Sequence, residues 1–288
     1  MRFTNSSWLL LSFGVLSGTP ALAEDRVFDK KFAEPAGQTL TIDSDFGDID
    51  VSGSDGNEVV VHVELSGDRN RVDEYDITAN STAEGVTIRG RRDDDWDGFS
   101  WWYTALDVKY TVQVPRNYHV KVRSSRGELK MRNFNGSAYA QVSRGSITID
   151  GINGAVQIDA SRGDIHGNQL VGNVRVASSR GDIDLAKIDG QMDVRTSRGD
   201  VEVSLMNPNR GANVTTSRGN VTITLPREFA ADLDVRTSRG EVECELPLAN
   251  SDRTSNNRDE EVSGTLNGGG KLLKVHTSRG DIDIRSGS

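Results

Sequence analysis

Ser-Arg-Gly occurs eight times in this chain, and five of the copies fall on an 18-residue grid. The arginines are Arg126, Arg144, Arg162, Arg180, Arg198, Arg218, Arg239 and Arg279, with successive spacings of 18, 18, 18, 18, 20, 21 and 40. A fixed period of this length, with units too small to fold alone, is the mark of a stacked repeat architecture. The period therefore constrains the shape of the molecule before any single residue is considered.

Each corner is flanked by alternating apolar pairs. Val174 and Val176 precede one copy, and Ile183 and Leu185 follow it. Equivalent pairs recur every nine residues from Val120/Val122 to Val201/Val203, with Gly167 as the one poor fit. Period-2 alternation makes each pair a short strand with one buried face. A second turn type carries an apolar residue and then glycine two positions on: Phe134/Gly136, Ile152/Gly154, Leu170/Gly172 and Ile188/Gly190. One coil is thus strand, Ser-Arg-Gly corner, strand, apolar corner. The glycines suit tight corners because they reach positive φ without strain.

A coil cannot stand alone. Val174, Val176, Ile183, Leu185 and Ile188 contribute about 1.5–3 kcal/mol each when fully buried. Ordering each backbone of the coil costs about 1–2 kcal/mol, and a coil holds 18 of them. Stacking resolves the deficit by burying both edges and pairing the backbones of neighbouring coils about 4.8 Å apart. No amphipathic helical periodicity competes with this pattern. The predicted fold is all-β, a single-chain parallel β-solenoid of the right-handed β-helix kind, about 18 residues per coil with two short strands.

Three regions are expected. Residues 1–23 read as a signal peptide: Arg2, an apolar run over 8–16, and Ala21-Leu22-Ala23 as the cleavage site. Residues 24–119 form an N-terminal β region that holds the first coils. There Leu40/Ile42 and Ile49/Val51 flank Asp45-Phe46-Gly47-Asp48, with Phe46 in the arginine's place, as suits a corner packed under a cap. Longer strands are expected over 58–65 and 106–114, with an aromatic loop at 96–103 between them. Residues 120–288 are the regular solenoid, with a polar insertion at 249–261 before a last coil.

Removing Arg2 leaves 33 Lys+Arg against 43 Asp+Glu, a mature charge of about −10. That balance argues against nucleic acid as a partner. Past the leader no segment is apolar enough for a membrane helix. The lone Cys244 occupies an inward slot and reads as core packing.

Two candidate surfaces emerge. Stacking lines the eight arginines along one edge, a comb able to grip a linear polyanion such as an acidic polysaccharide, lipopolysaccharide phosphates or teichoic acid. Against this stands an acid-rich column two residues on: Glu128, Ser146, Asp164, Asp182, Asp200, Asn220, Glu241 and Asp281. Arginines that pair with these acids would make a structural ladder of low individual worth. The second candidate is Trp96, Trp101, Trp102 and Tyr103, either a sugar-stacking strip or a flap over the solenoid. Four Arg-Gly-Asp triplets (162–164, 180–182, 198–200 and 279–281) read as corner chemistry, since other copies continue with Glu, Ser or Asn.

Catalysis finds little footing. His62, His119, His166 and His276 lie far apart without metal-ligand spacing, and no nucleophile elbow is present. No cofactor or metal is expected. Polysaccharide lyases use β-helices, which leaves a carbohydrate-active enzyme as the least favoured reading.

Several segments together resemble one bacterial family. They are Leu40-Thr41-Ile42 leading into Gly47-Asp48-Ile49-Asp50-Val51, then Tyr110-Thr111-Val112-Gln113-Val114-Pro115, the repeated Ser-Arg-Gly-Asp-Ile, and Gly268-Gly269-Gly270 before the final copy. The chain is similar over about residues 28–285 to domain of unknown function 4097, the Toastrack group of adhesin-like β-solenoids. The resemblance implies an exported or envelope-associated strand-repeat protein and supplies no catalytic residues. The leading expectation is a non-enzymatic scaffold or adhesin-like interaction protein, with envelope polysaccharide or another surface protein as partner. The alternative is a polyanion- or glycan-binding module using the comb or the aromatic loop.

Overall fold

A computed structural model describes residues 23–92, 106–206, 210–256 and 258–287. Residues 1–22 of the signal peptide expected over 1–23 lie outside the described residues, as do the aromatic residues Trp96, Trp101, Trp102 and Tyr103.

The chain winds between two long, mostly parallel sheets, of 12 and 13 strands. In the regular block each coil gives one strand to each sheet, and the 18-residue period is the pairing register. Val156 pairs beside Val174, and Val174 beside Met192. In the other sheet Ile147, Ile165 and Ile183 stand in line. The inward side chains form one continuous core, in which Val174, Val176, Ile183, Leu185 and Ile188 are all buried. Gly167 fits that core because Leu185 and Leu170 fill its space: an added Cβ would lie 2.7 Å from Leu185 Cδ2.

The apolar corner depends on one left-handed residue per coil. Asn133, Gln169 and Lys187 have φ of 58, 53 and 56°, and Gly151 takes 63° in the equivalent place. That single reversal turns Phe134, Ile152, Leu170 and Ile188 back into the core after an outward residue.

Coil order in space departs from coil order in sequence at both ends. The sequence suggests that the last coil closes the stack. Instead Lys271–Thr277 lies between Ala212–Thr216 and Ala231–Thr237, and Ile282–Ser286 lies between Val221–Leu225 and Val242–Cys244. The physical reason is cover. Leu273, Val275, Ile282 and Ile284 of the last coil are buried, which requires a neighbour on either side. The 231–244 coil has its own cover, because the polar insertion folds as an antiparallel hairpin, Ala249–Asn256 with Asp259–Leu266. The inner arm of that hairpin pairs with Ala231–Thr237.

The N-terminal end follows the same logic. Thr39–Ser44 and Asp48–Ser54 abut the regular block directly. Ala23–Ala33 and the excursion that follows Ser54 pack outboard as antiparallel and parallel strands, with Ala23–Ala33 as the edge of the 12-stranded sheet and Tyr75–Thr82 as the edge of the 13-stranded sheet. Capping elements of this type stop a parallel stack from offering its open edge to other chains.

Candidate functional site

The Ser-Arg-Gly corner can be taken apart position by position. The residue before the triplet is often a buried hydroxyl: Ser124, Ser178, Thr196, Thr216, Thr237 or Thr277. Several bond to corner carbonyls, as Thr196 Oγ1 does to Arg198 O at 3.3 Å and Thr237 Oγ1 to Gly280 O at 2.9 Å. The glycine is fixed by geometry. Gly181 has φ of 136°, and a Cβ there would lie 2.1 Å from the carbonyl oxygen of Gly163 in the preceding coil. Its N–H donates to Arg198 O at 3.0 Å, and the pattern repeats along the column.

The acids after the glycine also have a local task. The N–H of Asp182 donates to Asp164 Oδ1 at 3.0 Å, that of Asp200 to Asp182 Oδ1 at 2.8 Å, and that of Asn220 to Asp200 Oδ1 at 2.7 Å. Asn220 Oδ1 accepts in turn from Asp281 N–H at 3.0 Å, so the column needs a short side-chain oxygen and no charge. The aspartates of the four Arg-Gly-Asp triplets belong to this backbone ladder or its direct continuation, in which Asp281 accepts from Glu241 N–H at 3.0 Å.

The arginine side chains have no such local task. All eight side chains are exposed. Among the described residues, none of the eight arginines forms an ion pair with an acid, although ion pairs occur elsewhere, as between Arg132 and Asp50 at 2.6 Å and Arg195 and Asp193 at 2.9 Å. The expected pairing of each arginine with the acid of a neighbouring coil is therefore corrected. The carboxylates are short and close to the next coil's backbone N–H, which captures them.

The coil order makes the comb continuous. Gly199 N–H donates to Arg218 O, Gly219 N–H to Arg279 O and Gly280 N–H to Arg239 O. Arg279 thus stands between Arg218 and Arg239, and the 40-residue gap in sequence leaves no gap in space. The row runs Arg126, Arg144, Arg162, Arg180, Arg198, Arg218, Arg279, Arg239, with rungs about 4.8 Å apart. Bare unit charges about 4 Å apart repel by about 1 kcal/mol in water. Among the described residues no acid offsets that repulsion by direct pairing.

Sequence reasoning missed a shallow groove beside the comb. It crosses five coils and is lined by the three residues before Arg144, Arg162, Arg180 and Arg198, with Thr215 at its far end. No repeating chemistry marks it, because its outward column changes from Gln141 to Asp159, Ala177 and Arg195.

Perturbed titrating groups lie elsewhere. Burial pushes the phenols of Tyr75 and Tyr110 up. Their hydroxyls meet at 2.9 Å and join Ser44 beneath the Phe46 corner. Burial, aided by Glu34, pushes the Tyr118 phenol up to about 12. His62 is raised by its hydrogen bond to Asp29, and then by that to Glu64. Burial raises the thiol of Cys244, which is half-buried. The four histidines stay apart, and among the described residues no group of three or more His, Cys, Asp or Glu converges to hold a metal. No helix of the described residues is long and apolar enough to cross a membrane.

Two mostly parallel sheets wound from short coils with glycine-locked corners define a β-solenoid. The chain belongs to the Toastrack DUF4097 family, whose pattern matches residues 37–285. Among solved structures, a putative adhesin from Bacteroides fragilis is 12% identical, with a TM-score of 0.49 and coverage of 90% of this chain and 97% of that one. A putative cell adhesion protein from Clostridium sporogenes is 12% identical, with a TM-score of 0.32 and coverage of 92% and 100%. A putative lipid binding protein from Parabacteroides distasonis is 11% identical, with a TM-score of 0.28 and coverage of 91% and 97%. No curated protein matches the sequence.

Proposed function

We propose that this chain is a non-enzymatic interaction module of the bacterial envelope that grips a linear polyanion along its arginine comb. One observation carries the reading: eight exposed guanidinium groups form an unbroken row, and none is paired with an acid among the described residues. Arginine presents a planar fork of donors suited to carboxylate or phosphate, and a regular row suits a polymer better than a small ligand. Membership of an adhesin-like family and the adhesion names carried by solved neighbours support an interaction role outside the cytoplasm. The leader expected over residues 1–23 supports export. The purely structural ladder loses its support, because the acids are engaged by backbone N–H groups.

The test is retention of the folded protein on immobilised acidic polymers, set against a neutral dextran matrix. Strong retention on the acidic matrices at low salt is expected, with elution as added salt screens the exposed charges. Equal behaviour on the neutral matrix, or passage through all of them at low salt, would overturn the proposal.

A further inference from the structure

The groove next to the comb says which polyanion fits. We infer that the comb and groove together form a binding site for a carboxylated polysaccharide, with carboxylates on the arginines and ring hydroxyls in the groove. This rests on the comb reading above and narrows it.

Ser143, Ser161, Ser179 and Ser197 immediately precede Arg144, Arg162, Arg180 and Arg198, and they line the groove on its comb side. All four serines are exposed, and among the described residues their hydroxyls are not engaged in any hydrogen bond. Each rung therefore offers a guanidinium and, next to it, a hydroxyl that both donates and accepts. Across the floor, two residues further back, the outward column supplies mixed polar chemistry. Gln141 and Asp159 provide acceptors, and Arg195 provides donors. Ala177, between Asp159 and Arg195, leaves a notch where its neighbours carry long or charged side chains.

Asp159 decides between ligand classes. It lines the groove with a carboxylate that accepts from Gln157 Nε2 at 3.1 Å, its one side-chain partner among the described residues. A polymer charged on all sides, such as polyphosphate, would set an anion against this carboxylate. Each ring of a uronic-acid chain carries its carboxylate on one edge and hydroxyl donors on the other, so the polymer presents both chemistries to a surface. Hydroxyls can donate to Asp159 while the carboxylates face the comb. Successive rings are turned about the chain axis, so only some carboxylates face the comb, and the rungs between them meet ring hydroxyls through the serines.

The experiment measures binding of the full chain to three soluble polymers of matched length and low salt: polygalacturonate, poly-glutamate and polyphosphate. Polygalacturonate has carboxylates and ring hydroxyls, poly-glutamate has carboxylates alone, and polyphosphate has phosphates alone. The expected result is tightest binding to polygalacturonate. Filling the notch with A177I should weaken that complex about tenfold, the worth of one or two hydrogen bonds, and leave poly-glutamate binding unchanged. D159A is the second variant, and it should narrow the gap between polygalacturonate and polyphosphate. An unchanged melting temperature confirms that each variant folds. Equal or tighter binding of poly-glutamate or polyphosphate would overturn the polysaccharide assignment and leave the comb standing. Loss of all three ligands on A177I would also overturn it. Failure of the wild-type chain to bind any of the three would instead remove the comb reading itself.

Discussion

One corner of this solenoid carries phenylalanine where the other eight carry arginine, and the two kinds share the same backbone. At the first coil Gly47 has φ of 120°, and its N–H donates to Arg126 O at 2.9 Å, the bond made by the other corner glycines. Phe46 is half-buried there. Its ring meets Tyr75 edge-to-face at 5.0 Å between centroids, and the Arg92 guanidinium sits 5.2 Å above it. Where the N-terminal excursion covers the corner, an apolar ring packs. Where nothing in the described structure covers it, arginine stands exposed. The corner fold therefore tolerates residues as different as these at its middle position. What it demands is the glycine.

The sharpest way to break this comparison is at the glycine. Gly181→Ala places a Cβ 2.1 Å from the Gly163 carbonyl oxygen in a residue with φ of 136°. Left-handed strain of about 1–2 kcal/mol adds to overpacking of about 1–3 kcal/mol, so a loss of about 2–5 kcal/mol is expected in urea denaturation. A loss under about 0.5 kcal/mol, the range of an ordinary surface change, would mean that the corner is not glycine-locked.

A smaller effect is expected at the odd corner. Phe46→Arg removes the edge-to-face contact with Tyr75 and sets a second guanidinium near Arg92. Aromatic pairs contribute about 0.5–1.5 kcal/mol beyond burial, so denaturation should report a loss of about 1–2 kcal/mol. An unchanged midpoint would show that the cap does not select the apolar residue.

The coil pattern was legible because the same residue types return at a fixed interval. Ile147, Ile165 and Ile183 announce their own register. The place of Phe46 under a cap was legible for the same reason, since it breaks a column. Intercalation of the last coil was not legible. Whether 271–286 packs inside or outside 231–244 depends on which edge the 249–266 hairpin covers, and no local sequence signal encodes that choice. The left-handed positions were hidden too: Gly151 hints at the column, but Asn133, Gln169 and Lys187 give no common sign. In the candidate site, adjacency in sequence suggested that the arginines pair with the acids. The backbone N–H of the next coil lies within 2.7–3.0 Å of Asp164, Asp182 and Asp200, and it takes the carboxylates first. The groove column of Gln141, Asp159, Ala177 and Arg195 has no repeating chemistry and so could not be read at all.

On the proposed function, the middle residue of each repeated corner serves a ligand and not the fold. R162Q, R180Q and R198Q combined in one protein test it directly, with denaturation midpoint and retention on a polygalacturonate column measured on the same preparation. These side chains are exposed and have no ion-pair partner among the described residues, so stability should stay within about 0.5 kcal/mol of the wild type or rise as repulsion within the comb is relieved. Retention should drop sharply. A triple variant that loses several kcal/mol of stability, or one that keeps full retention, would contradict the account.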